Sequence, residues 1–345
     1  GHFNQKRLGT VEAVGIYLNT TAENRTPRAQ YNDERTLNML FRQIEQSGRE
    51  FTDQITPLDV QLLINLHSKR GISEATLMHY KKGMSKVFKW LSEDMELVEM
   101  KNPVKKVKIP KKTGLVRDRI PTKAEMASLH EVAVQGAVKY NSPIVEIFRF
   151  ILMTGARLGE VLHMEWEDFD EKTGIWTIRS KPRCPTFYGL GWKPKWDKWR
   201  QVLLFDDAVE LLEYLPRQEK VYGTVPVRDE NKEIIGHKFY PANFVFPKKV
   251  VDGKSGKVGY CRVNCIRNGW EALKKLAQVE NLQLRDLRTY FNHILKTNYN
   301  FTSKEAGVYI GNNEVVNELH YSPYHEPTIR EKMRKLPLKE ALGGL

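Results

Sequence analysis

Apolar residues recur at three- and four-residue spacing through the first hundred positions. Leu37, Leu40, Phe41 and Ile44 make one stripe, and Gly48 is placed to stop that helix. Val60, Leu63, Ile64 and His67 make a second. It follows Thr56-Pro57-Leu58-Asp59, where threonine can cap, proline suits the first turn and the acid faces the positive end of the dipole. Leu77, Met84, Phe88 and Leu91 make a third, opened by Ser73. Lys81, Lys82, Lys86 and Lys89 lie on or beside the polar side of that helix. Such a lysine face can be merely solvated, or it can lie on phosphates.

The pattern breaks at 101–121, which holds Pro103, Pro110, Gly114 and Pro121. The same stretch carries Lys101, Lys105, Lys106, Lys108, Lys111, Lys112, Arg117 and Arg119 against one acid, Asp118. It is predicted to stay extended and to bury no core. The predicted division is a helical domain at 1–102, a basic linker at 103–121 and a second domain at 122–345. Thr122-Lys123-Ala124-Glu125 opens the second domain with a capping box. A helix over about 143–153, capped by Ser142, is apolar on nearly every side and reads as central. Residues 174–178 and 201–205 read as strands flanking a long aromatic and basic insertion at 180–200. Helices resume near 207, 263, 286, 303 and 328. The predicted fold class is an all-α N-terminal domain followed by a mixed α/β domain, mainly helical with a small antiparallel sheet.

Composition narrows the function. The 345 residues suffice for two ordinary domains, and 41% hydrophobic content excludes global disorder. A net charge of +13 favours a polyanionic partner, nucleic acid being the commonest. Cys184, Cys261 and Cys265 are odd in number and lack a paired spacing, which fits reduced thiols in a cytosolic protein. No apolar run reaches membrane-spanning length, and no secretory signal precedes residue 30. Gly1-His2 reads as the scar of a cleaved tag, which leaves a truncated natural N-terminus as an open reading.

Three words carry candidate chemistry. Arg157 lies in Thr154-Gly155-Ala156-Arg157-Leu158-Gly159-Glu160. Arg288 lies in Leu284-Arg285-Asp286-Leu287-Arg288-Thr289-Tyr290-Phe291. Ile310-Gly311-Asn312 precedes Tyr321, which stands ten residues after the glycine. Two arginine forks can hold one phosphate, and a tyrosine hydroxyl can attack it. No acidic cluster with metal-ligand spacing and no P-loop accompanies them, so neither a metal nor a nucleotide cofactor is expected.

These words, in this order, resemble the tyrosine site-specific recombinases, in particular the Xer-type and integrase branches. The resemblance implies a core-binding domain and a catalytic domain that clamp duplex DNA. It implies Tyr321 as nucleophile, forming a 3′-phosphotyrosyl link, with Tyr324 as the alternative. Arg157 and Arg288 would be the two catalytic arginines, with Glu160 and Asp286 supporting them. The family places histidine or lysine where this chain has Arg285, and arginine cannot serve as a base. The family's Leu-Gly-His word here ends in Asn312, a hydrogen-bond donor without an imidazolium's charge; His320 could partly substitute. A hairpin lysine is the family's general acid. Lys195 is preferred because Lys195-Trp196-Asp197-Lys198-Trp199-Arg200-Gln201-Val202 anchors it to the outgoing strand; Lys181 is the alternative and Lys198 a third candidate. The resemblance further implies a homotetramer on two specific double-stranded DNA sites. It implies integration or excision of a mobile element, or resolution of chromosome dimers, in a bacterial or archaeal cytoplasm. The segment after Pro327, with Ile329, Met333 and Leu336 at helical spacing, would pass to a neighbouring subunit. A type IB topoisomerase and a non-catalytic DNA-binding protein on the same fold stay as alternatives.

Overall fold

The computed structural model describes residues 7–110, 119–135, 142–230, 233–251, 256 and 258–321, and of Trp196, Leu319, His320 and Tyr321 the backbone alone. Two compact units emerge, Gly1–Leu115 and Val116–Leu345.

The first unit contains α1 (Thr10–Thr20), α2 (Pro27–Gln46), α3 (Pro57–Lys69) and α4 (Glu74–Lys89). The three predicted stripes turn inward onto one core. Leu40, Val60, Ile64, Leu77 and Met84 are fully buried, and the Phe41 and Phe88 rings lie 5.4 Å apart. Thr56 caps α3 as predicted and forms a capping box with Asp59, and Ser73 accepts from the Thr76 amide at the head of α4. α1 lacks a Ser, Thr, Asp or Asn cap; there the Gly9 amide donates to Glu12 Oε2 at 3.3 Å.

Residues 103–109, the first part of the predicted linker, pack on the helical unit together with Asn102. Val104 and Val107 are buried in the helical core. Asn102 donates to the Ser85 carbonyl at 2.9 Å. The Gln61 amide clips the segment from both sides, donating to the Lys108 carbonyl at 2.9 Å and accepting from its N–H at 2.8 Å. Average composition hides this, because two valines three apart can face inward while the lysines between and around them face water. Full burial of each valine is worth about 1.5–3 kcal/mol. Residues 111–118 lie outside the described set.

The second unit is organised around α6 (Ile144–Thr154), preceded by α5 (Lys123–Val134) with its Thr122–Glu125 box. Phe148 packs 5.9 Å from Trp270, and Phe150 packs 5.4 Å from Trp176 and 5.3 Å from Phe246. Pro143, not Ser142, is the N-cap of α6. The short α7 (Leu158–Val161) follows. β1 (Phe169–Asp170), β2 (Ile175–Ile178) and β5 (Arg200–Leu203) form an antiparallel sheet, with Trp176 opposite Val202. The insertion between β2 and β5 folds as a hairpin of β3 (Lys181–Thr186) and β4 (Gly189–Trp192). α8 (Asp206–Tyr214) leads to β6 (Val221–Arg228), β7 (Ile234–Pro241), β8 (Pro247–Val251) and β9 (Val258–Arg262). These form a sheet in the order β7-β6-β9-β8, with β6 and β9 parallel. A single small antiparallel sheet was therefore too simple an expectation. The described residues end with α9 (Arg267–Leu276), α10 (Leu284–Asn298), α11 (Ser303–Ile310) and α12 (Glu314–Tyr321). Among the described residues no helix is long and apolar enough to cross a membrane.

Candidate active site

The site begins where α6 stops. Gly155 takes φ +60°, and a Cβ there would come 2.6 Å from Phe291, so both backbone and space require glycine. The reversal leads to Arg157, the N-cap residue of α7, with Glu160 at the third helical position. Glu160 Oε2 accepts the Arg157 amide at 3.0 Å, and Oε1 accepts Arg157 Nη1 at 2.9 Å. The Arg-Leu-Gly-Glu word is thus a cap that also orients its own arginine. Arg157 Nη2 donates to the Gly311 carbonyl at 2.9 Å and to Asn312 Oδ1 at 2.7 Å.

Arg288 reaches the same turn from α10. Its Nη1 donates to the Gly155 carbonyl and its Nη2 to the Ile310 carbonyl, both at 2.6 Å, and it is buried. Asp286 accepts the Gln283 amide at 2.8 Å and so fixes the start of that helix. Arg285 lies exposed on the first turn. α11 ends at Gly311, φ +77°, which hands the chain to Asn312. Asn312 Nδ2 is buried and has no hydrogen-bond partner among the described residues.

α12 follows at once. The Asn313 side chain accepts the Val316 amide at 2.7 Å, capping it. Buried Asn317 donates to buried Asn292 of α10 at 2.7 Å, and Lys296 pairs with Glu318 at 3.0 Å. The helix runs to the backbone of His320 and Tyr321. Tyr324 and the tail beyond it lie outside the described residues. Tyr309 is otherwise engaged: its hydroxyl donates to the Leu203 carbonyl at 2.9 Å, and burial pushes its pKa up.

The two hairpin lysines differ sharply. Lys181, on β3, is buried and donates to the His163 carbonyl at 2.7 Å, to Glu165 at 2.9 Å and to Asp168. Lys195 is exposed in a short 3-10 turn, Lys195–Asp197, just ahead of β5. Among the lysines expected to face phosphate, Lys81 instead donates to the Val107 carbonyl at 2.6 Å, the docked 102–109 segment having brought that acceptor to it. Lys105 pairs with Glu93 at 2.9 Å. Lys82, Lys86, Lys106 and Lys108 are exposed, and Lys111 and Lys112 lie outside the described residues.

Sequence reading gave no role to Arg200, although it sits in the Lys195–Val202 word. From the head of β5 its Nη1 and Nη2 reach Glu160 Oε1 and Oε2 at 3.0 and 2.8 Å. Burial by itself would raise the Glu160 pKa; the hydrogen bonds and charge of Arg200, then the charge of Arg157, outweigh it and leave the carboxyl below its ordinary value. The signal was present as a basic residue opening an apolar strand, but nothing local named its partner.

No protein-family model matches the chain, and no curated protein matches it by sequence. Solved structures do. The Tn1549 transposon integrase in complex with a circular intermediate DNA matches over 95% of this chain and 100% of its own, with TM-score 0.64 and 15% identity. A lambda integrase dimer bound to a COC′ core site matches over 92% and 97%, with TM-score 0.60 and 12% identity. A lambda integrase tetramer bound to a Holliday junction matches over 89% and 75%, with TM-score 0.55 and 13% identity. Identities this low speak for the fold alone, and the chain has the tyrosine recombinase fold.

Proposed function

We propose that this protein is a site-specific DNA recombinase that cuts and rejoins double-stranded DNA through a 3′-phosphotyrosyl intermediate. One observation carries the reading. Arg157, Arg288 and Asn312 come from α7, α10 and the turn after α11, and hydrogen bonds gather them at Ile310–Asn312, directly before the helix that contains Tyr321.

The chemistry follows from that grouping. The Tyr321 hydroxyl attacks phosphorus and gives up its proton to solvent water, and the 5′ oxygen of the next nucleotide leaves, taking a proton from Lys195. Charge building on the non-bridging oxygens is met by Arg157 and Arg288, whose forks are already oriented by backbone carbonyls. Asn312 Nδ2 supplies a neutral donor. Exposed Arg285 adds charge but cannot take the phenolic proton. The phosphotyrosyl bond keeps the energy of the broken phosphodiester, so the incoming 5′ hydroxyl of a partner strand restores DNA without ATP. A homotetramer on two sites, in the cytoplasm, suits that exchange. Integration or excision of a mobile element would use such an exchange, and chromosome dimer resolution would use the same chemistry.

A nicked suicide substrate tests the reading. The wild-type protein is expected to form a covalent adduct, and Tyr321→Phe to bind the same DNA without forming it. An adduct that persists in Tyr321→Phe and disappears in Tyr324→Phe would move the nucleophile.

A further inference from the structure

We infer that Arg200 is a positioning residue for Arg157, acting through Glu160; this rests on the recombinase reading above. The Glu160 carboxylate is buried and makes four hydrogen bonds. Two come from Arg157, through its amide and Nη1, and two come from the Arg200 fork. Glu160 is therefore shared between the two arginines, each of which engages both of its oxygens.

Charge gives this geometry its consequence. Arg157 and Glu160 alone would cancel, and a neutral pair has little attraction for a phosphate. With Arg200 the cluster is net cationic. Glu160 can then orient Arg157 without consuming its charge. A carboxylate shared between two guanidinium groups also pulls less on either one, so Arg157 Nη2 stays with Gly311 and Asn312.

Arg200 touches the third word as well. Its guanidinium lies against Gly311, where an added Cβ would come 2.5 Å from Arg200 Cζ. Gly311 already takes φ +77°. Glycine at this position thus serves two ends: it makes the turn to Asn312, and it leaves room for the arginine that balances Glu160. Arg200 links the strand after the hairpin to two of the three catalytic words without touching the reacting atoms itself.

The test is single-turnover cleavage of a suicide substrate by the full chain, with DNA affinity measured separately. Arg200→Ala is expected to bind DNA within a few-fold of wild type and to cleave about a hundredfold more slowly, in the range for removal of one preorganised charge-stabilising donor. Adding Glu160→Gln removes the unbalanced carboxylate, and the double variant is expected to regain at least about tenfold of that rate. The pH profile carries a second signature. Without Arg200, burial raises the Glu160 pKa, so protonation at lower pH frees Arg157 and narrows the deficit. A purely structural role predicts neither recovery nor narrowing. Arg200→Lys keeps the charge and loses the fork; it is expected to cleave at an intermediate rate, and it serves if the alanine variant does not fold. Wild-type rates in Arg200→Ala or Arg200→Lys, or no recovery in the double variant, overturn the inference. Absence of an adduct with the wild-type protein overturns the recombinase reading, and this inference falls with it.

Discussion

A lysine's use as a general acid depends on whether its ammonium can reach the leaving oxygen. At Lys181 two carboxylates and a carbonyl hold it inside the protein. Surrendering its proton would take the lysine's charge from Glu165 and leave Asp168 with Arg179 at 3.4 Å. Lys195 is exposed and stands ahead of the strand that delivers Arg200 to Glu160. Lys195→Ala is accordingly predicted to slow cleavage strongly on ordinary DNA and to recover on a substrate with a 5′-bridging sulfur, whose leaving group needs no proton. Lys181→Ala is predicted to lose about 3 kcal/mol of stability by removing the ammonium between buried Asp168 and half-buried Glu165, read by denaturant unfolding, and to gain nothing from the sulfur. Sulfur rescue of Lys181→Ala in place of Lys195→Ala would reverse the two roles. The same scale marks what the sequence could tell. Arg157, Arg288 and Asn312 stand out because each sits in a word with a distinctive neighbour. Arg200 does not, since its partner Glu160 lies 40 positions away. The Asn292–Asn317 bond that ties α12 to α10 spans 25 positions and is equally silent.

Helices were legible as elements because their caps and stripes are local. Thr56-Pro57-Leu58-Asp59 fixes the start of α3 from four adjacent residues, and the threonine caps it while Asp59 completes a capping box. That box extends into an ion pair, as Asp59 also accepts from Arg49 Nε at 2.9 Å. Arg49's hydrogen bond, aided by those of Thr56 and outweighing partial burial, holds the Asp59 pKa down at about 2, against an ordinary 3.8. A carboxyl depressed on folding stabilises above its unfolded pKa, and that stability is lost as pH falls through the folded one. Asp59→Asn should therefore unfold at lower denaturant than wild type at pH 7, and the gap should close between about pH 4 and pH 2. A gap that stays constant across that window would mean the carboxylate's charge contributes nothing. The β6–β9 sheet was not legible, for a physical reason. β7 is exposed along most of its length, with Ile235 and Phe239 among its outward residues, so no alternation of apolar and polar positions marks it. The parallel pairing of β6 with β9 joins segments separated by two other strands, which no local pattern encodes. Residues 102–109 fail the opposite way: lysine-rich composition outvoted two valines that the core uses.

Across the whole molecule, the proposed function asks which of the lysines behind the net charge of +13 would meet DNA and which serve the fold. The first unit sorts several of them. Lys81 is committed to the Val107 carbonyl and so helps dock the 102–109 segment, while Lys105 is paired with Glu93. Lys82 and Lys86 remain exposed on α4, and Lys106 and Lys108 on the docked segment. Docking matters for binding, because lysines on a packed backbone lose less conformational freedom on meeting phosphate than lysines on a free chain. Each phosphate that a lysine neutralises releases condensed counterions, so binding should weaken with salt along a line whose slope reports the number of phosphates neutralised. Replacing Lys82, Lys86, Lys106 and Lys108 together by glutamine is predicted to flatten that slope by about 0.9 for each phosphate no longer neutralised. Lys81→Gln is predicted to leave the slope unchanged while lowering the stability of the first unit, because the bond to Val107 is gone. Filter-binding titrations of one recombination-site duplex over a range of salt concentrations, with unfolding curves for the same variants, measure both quantities. An unchanged slope in the fourfold variant would remove this face from the DNA interface, and a flatter slope in Lys81→Gln would show that its ammonium leaves Val107 for phosphate when DNA binds.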